Sequence, residues 1–105
     1  MNEDRKGIVW INIFTVKPGK LDELIAIQSE ELRKFQQKQI PGWMSSRLYR
    51  SKEENKAIMV TTLESIQAHQ NWLQREDFAE HRKKLEPYIE RTEGRYYTLE
   101  EDIEI

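Results

Sequence analysis

The chain has 105 residues, no cysteine, and 17 basic against 19 acidic side chains, a formal net charge of −2. That length supports one domain with a single core over residues 1–105. Nothing in the balance favours nucleic acid, where a basic excess supplies affinity, and without cysteine there are no disulfides or thiolate chemistry. No apolar run approaches the ~20 residues of a membrane span. The opening Met1-Asn2-Glu3-Asp4-Arg5-Lys6 lacks the apolar core of a secretion signal, so a cytoplasmic location is expected.

The first predicted element is a strand from Ile8 to Val16 that is apolar on both sides. Side chains alternate across a strand, so Ile8, Trp10, Asn12, Phe14 and Val16 share one face and Val9, Ile11, Ile13 and Thr15 the other. A strand of this kind needs cover on both faces. Asn12, between Trp10 and Phe14, loses its water on folding and needs partners. Lys17-Pro18-Gly19 is a turn signal. From Lys20 the period changes: Leu21, Leu24, Ile25, Gln28, Leu32 and Phe35 fall at three- and four-residue steps, an amphipathic helix of roughly 18 residues that Pro41-Gly42 stops.

Trp43 to Arg50 reads as a second strand, with Met44, Ser46 and Leu48 on one face and Ser45, Arg47 and Tyr49 on the other. A polar hairpin leads to a third strand, Ala57 to Leu63, rich in apolar and β-branched residues. Ser65 is placed to cap a short helix bearing Ala68 and Trp72, with His69 read as surface or rim. Another helix starts near Asp77, with Phe78, His81, Leu85 and Tyr88 or Ile89 along one stripe, and Pro87 marks its end or a kink. Gly94 to Leu99, extending as far as Ile105, reads as the last strand. Of Tyr96 and Tyr97, one faces inward. The tail Glu100-Glu101-Asp102 is too acidic for core and belongs at an edge or on a partner.

The order β-α-β-β-α-β predicts a ferredoxin-like α+β fold, with a four-stranded antiparallel sheet covered by helices on one face. Val9, Ile11 and Ile13 then stay bare, each worth ~1.5–3 kcal/mol when buried. A homodimer through that sheet face would cover them; a tail or loop folded over it is the other solution.

On these segments the chain resembles the antibiotic biosynthesis monooxygenase family of dimeric α+β barrels. The matching pieces are the Asn-bearing strand ending Val16-Lys17-Pro18-Gly19-Lys20, the loop Ile40-Pro41-Gly42-Trp43, the run Leu63-Glu64-Ser65-Ile66-Gln67-Ala68-His69, and Asp77-Phe78-Ala79-Glu80-His81. The resemblance implies oxidation of a small electron-rich aromatic of quinol or phenol type by molecular oxygen, without metal or flavin. A related branch degrades haem, using an Asn on the first strand, a Trp on the short second helix and a later His. Asn12 and Trp72 match the first two, but His81 comes one residue early relative to Phe78. Leu63 stands where many relatives carry Trp.

Three residues are the candidate catalytic set: Asn12, His81 and Trp72. Asn12 would hold a substrate oxygen as charge builds on it, or else ties a helix terminus or backbone. His81, on the inward stripe, would accept a phenolic proton or ligate haem iron; otherwise it is a half-buried ring bonded to backbone. Trp72 supplies a flat wall and one N–H donor, or is plain core. Trp10 and Phe14 would form the floor of a substrate pocket. No cluster has metal-site spacing and no Gly-rich loop cradles a phosphate. The competing readings are a haem-degrading enzyme on the same scaffold and a non-enzymatic, small-molecule-binding dimeric module.

Overall fold

The structure, a computed structural model, describes residues 7–105; residues 1–6, on which the secretion-signal expectation bears, lie outside it. The elements are β1 (Ile8–Val16), α1 (Leu21–Lys38), β2 (Trp43–Arg50), β3 (Lys56–Leu63), α2 (Ile66–Leu73), α3 (Glu76–Leu85) with a 3-10 turn over Glu86–Tyr88, and β4 (Ile89–Thr98). The strands form one antiparallel sheet in the order β2-β3-β1-β4. This is the ferredoxin-like α+β arrangement that the pattern predicts. None of the described helices is long and apolar enough to cross a membrane.

Helix α1 forms where the apolar positions recur at helical spacing. Asp22 and Glu23 in its first turn and Lys38 in its last complement the helix dipole. It ends at Lys38, ahead of Pro41-Gly42, because Gln39 turns left-handed at φ 54°. Helix α2 is capped as expected: the Ser65 hydroxyl accepts from the Ala68 N–H at 3.0 Å.

The inner face of the sheet carries two apolar clusters. Phe14, Val16, Ala57 and Met59 pack against Leu24 and Leu85. Phe35, Ile40, Leu63 and Trp72 form the second, with Trp10, Trp43 and Phe78 against it. Leu63 is completely buried there. Val9, Ile11 and Ile13 point to the other face and are half-buried. Arg47 and Tyr49 share that outer side, paired across β3 with Val60 and Ile58.

Three local expectations are corrected. In β2 a bulge at Met44 shifts the register between Trp43 and Ser45, so Trp43, rather than Met44, shares the inner face with Ser46 and Leu48. The Trp43 indole N–H donates to Ser46 Oγ at 2.9 Å, and that hydroxyl bonds Thr61 Oγ1 at 2.8 Å. The last strand begins at Ile89, five residues before Gly94. Glu90, Arg91 and Glu93 hide it from a hydrophobicity reading, because an edge strand is held by main-chain pairing to β1 and leaves its side chains in water. Residues 99–105 form no further strand.

Candidate active site

Between the inner face of the sheet and the three helices lies a cavity of about 700 Å³. Its floor is Trp10, Asn12 and Phe14 of β1 with Met59 and Thr61 of β3. Gln28, Leu32 and Phe35 of α1, His69 and Trp72 of α2, and Phe78, His81 and Leu85 of α3 form the walls. Arg82, Glu86, Glu90 and Arg91 ring the α3–β4 side. All five candidate residues (Asn12, His81, Trp72, Trp10 and Phe14) therefore line one space. Trp72 and Phe14 are also core members, so packing and lining coincide in them.

Among the described residues, four buried side-chain polar atoms have no hydrogen-bond partner: Asn12 Oδ1, Gln28 Oε1, Trp72 Nε1 and His81 Nδ1. Every one belongs to a residue that lines this cavity. An unmade hydrogen bond on a buried group costs about 1–3 kcal/mol, and such groups are few in native proteins. Their concentration in one cavity makes it the candidate site. The set offers two acceptors, one donor and an imidazole.

His81 is held by edge-on aromatic contacts with Phe35 at 5.4 Å and by Phe78 at 5.3 Å. Burial pushes its pKa below the usual imidazole value; the nearby Glu31 carboxylate works the other way, while Lys84 and Arg82 add to the depression. The ring is thus neutral near pH 7. Glu31 Oε1 stands 3.6 Å from Nδ1, beyond direct hydrogen-bond distance.

His69 is a correction. It is only 4% exposed, not a surface or rim residue. Three residues before Trp72 amounts to about 300° of helix turn, which puts both on one side of α2. Its Nδ1 bonds the Tyr96 hydroxyl at 2.7 Å, so Tyr96 is the inward member of the tyrosine pair and Tyr97 lies half-exposed. Trp10 contacts both rings, at 4.7 Å from His69 and 4.8 Å from Tyr96. Burial lowers the His69 pKa and raises that of Tyr96. Gly94, paired with Asn12 across β1 and β4, lets the Trp10 indole cross the strand. A Cβ at residue 94 would collide with Cζ2 of the Trp10 ring.

Sequence reasoning also missed Gln28 and Glu31 as polar members of the inner surface. Both are buried on α1. Gln28 shares the helical spacing of the apolar positions, and Glu31 follows it at the i+3 position that meets the same neighbours.

The profile of the antibiotic biosynthesis monooxygenase family matches residues 7–84. The chain belongs to that family. Among solved structures, SnoaB from Streptomyces nogalater, a cofactor-independent oxygenase, superposes with a TM-score of 0.80 at 18% identity, covering 93% of this chain and 97% of that one. A Bordetella bronchiseptica protein placed among the antibiotic biosynthesis monooxygenases gives 0.81 at 22% identity, covering 90% and 97%. A conserved protein of Methanosarcina mazei Go1 gives 0.79 at 16% identity, covering 92% and 96%. At these identities the likeness establishes the shared fold. No curated protein sequence matches significantly.

Proposed function

We propose that this member of the family is a cofactor-independent monooxygenase that oxidises a small, electron-rich aromatic of quinol or phenol type with molecular oxygen. The observation that carries the reading is the convergence of the unpartnered Asn12 and Trp72 atoms and the His81 ring on one aromatic-lined cavity. Family membership and the fold shared with SnoaB support it.

The substrate ring lies over Trp10 and Phe14, walled by Trp72. Neutral His81 accepts the phenolic proton. The phenolate keeps the electron pair, and the enriched ring passes an electron to oxygen, so the reducing power is the substrate's own. Asn12 and the Trp72 N–H hold the substrate oxygens as charge moves onto them. Asn12's unpartnered atom is its carbonyl oxygen, which accepts from a substrate hydroxyl; after rotation of the amide, its NH2 group donates to a phenolate.

Oxygen uptake with a panel of quinols, in chelator-treated buffer, tests this. The wild-type chain should consume oxygen with at least one of them and lose the activity in His81→Ala and Asn12→Ala. Turnover in His81→Ala equal to wild type overturns the assignment. A Soret shift with haemin that disappears in His81→Ala would replace it with the haem-degrading reading. Aromatic binding with no uptake would leave a binding module.

The same proposal includes a homodimer through the outer sheet face, where Val9, Ile11 and Ile13 form a half-buried β-branched stripe between Val60 and Ile58 on one side and the edge strand on the other. Light scattering should give twice the chain mass, falling to the monomer in Ile11→Glu.

A further inference from the structure

Glu31 sits where α1 otherwise faces the core, with its side chain only 8% exposed. Its Oε2 takes Lys84 at 3.0 Å and Lys34 at 3.3 Å. Its Oε1 stands 3.6 Å from His81 Nδ1, which no hydrogen bond reaches. Burying a carboxylate is costly. Pairing two lysines that are themselves half-exposed needs no such depth, because a surface carboxylate does the same. The contact that depth does serve is the one with His81.

We infer that Glu31 is a positioning residue: its Oε1 receives the Nδ1–H of His81, fixes that tautomer, and leaves Nε2 as the bare nitrogen that meets the substrate. The inference rests on the reading of His81 as the base. In a neutral imidazole, the bond made by one nitrogen decides which nitrogen carries the proton. Oε1 stands 3.6 Å from Nδ1, and a movement of a few tenths of an ångström brings the pair within hydrogen-bond range. Catalytic hydrogen bonds of this kind tighten when substrate binds.

Proton transfer then balances simply. The phenolic O–H breaks, Nε2–H forms, and the imidazolium is created beside a carboxylate already ionised. Burial alone would raise the Glu31 pKa, but Lys84 and Lys34 outweigh it and hold the carboxyl below its ordinary value. The charged groups facing His81 are Glu31 on α1, with Lys34 behind it, and Arg82 and Lys84 on α3. His69 on α2 and Glu86, Glu90 and Arg91 at the rim complete the titratable and charged lining.

The test uses the 15N-labelled full chain and long-range imidazole correlations across pH. Wild type should show His81 protonated at Nδ1 and bare at Nε2. In Glu31→Gln, which offers either a donor or an acceptor, the Nε2–H tautomer should gain a measurable share and the His81 titration should move to lower pH. Lys84→Met, at a half-exposed residue, should move it to higher pH, since a repelling cation is removed. With a quinol that wild type turns over, Glu31→Gln should lose at least about tenfold in kcat with KM within about twofold, and Glu31→Asp should recover part of it. An Nε2–H tautomer in wild type overturns the inference, as does a His81 titration that stays put in both variants. These spectra need no turnover. If they change as expected while no aromatic is oxidised, Glu31 still positions His81, and it is the oxygenase reading that falls.

Discussion

The two histidines of the cavity sit in opposite circumstances. On the α2 wall, His69 is fastened: its Nδ1 bonds Tyr96 and its ring lies against Trp10. On the α1–α3 wall, His81 is just as deeply buried, yet its Nδ1 has no hydrogen bond and its charged neighbour stands a little too far away. Burial depresses the proton affinity of both. What separates them is satisfaction. A buried polar group with its partner in place stiffens the fold, whereas one without a partner holds a cost that a ligand relieves. Of the two rings, His69 is therefore the one that packing and hydrogen bonding already satisfy, and His81 is the one at which chemistry is expected.

The largest effect that would break this contrast is on turnover. His81→Ala should lower kcat for oxygen uptake by about 10²–10⁴-fold, the range of a positioned general base, while His69→Ala should change it by less than about tenfold and lower stability instead. Comparable losses in kcat from the two variants would erase the distinction. Next is the glycine under the Trp10 indole. Gly94→Ala should destabilise the fold by roughly 1–3 kcal/mol, read by urea denaturation, and should shift the tryptophan emission as Trp10 is displaced.

Acid should act on both walls through folding. For His69 and His81 the folded-state pKa lies below the unfolded value, so the unfolded chain takes up protons first as pH falls. Their contribution is complete above about pH 6.5 and is lost on the way down through the folded values. Denaturation midpoints should therefore drop between pH 7.5 and pH 5, and less so in His69→Gln. Asp77 adds no pH dependence in this window, because its contribution is complete throughout it. The Arg75 guanidinium, helped by Lys38, holds its carboxyl far below the ordinary carboxylate range, so its share is lost only in stronger acid. The smallest effect is Tyr96→Phe, which removes one hydrogen bond, that to His69. It should cost about 0.5–1.5 kcal/mol and leave KM unchanged.

How much of this was legible beforehand depended on the kind of signal each residue carries. Periodicity over Ile8–Val16 and Leu21–Lys38 reports burial directly, so β1 and α1 emerged with nearly their observed bounds. The charged start of β4 was invisible because hydrogen bonds to β1, not side chains, hold it in place. The bulge at Met44 was hidden for a related reason: inserting one residue leaves the composition of a strand untouched while changing which side chains face inward. At the site, Asn12, Trp10 and Phe14 declared themselves by sharing one strand face. Glu31 and His69 did not, since a polar residue on a short or mixed helix face reads as solvated until the partner across the cavity is known. Glu31 needs His81, fifty positions later in the chain, and His69 needs Tyr96.

One strand makes both surfaces of the sheet. Along β1, each residue that floors the cavity is followed by one that faces away: Trp10 then Ile11, Asn12 then Ile13. Deleting a single residue early in this strand would turn it inside out, sending the amide to the back and an isoleucine into the hollow. Such a lesion has no mild form. Length variation in this family should therefore collect in the connections around the strand and spare the segment itself.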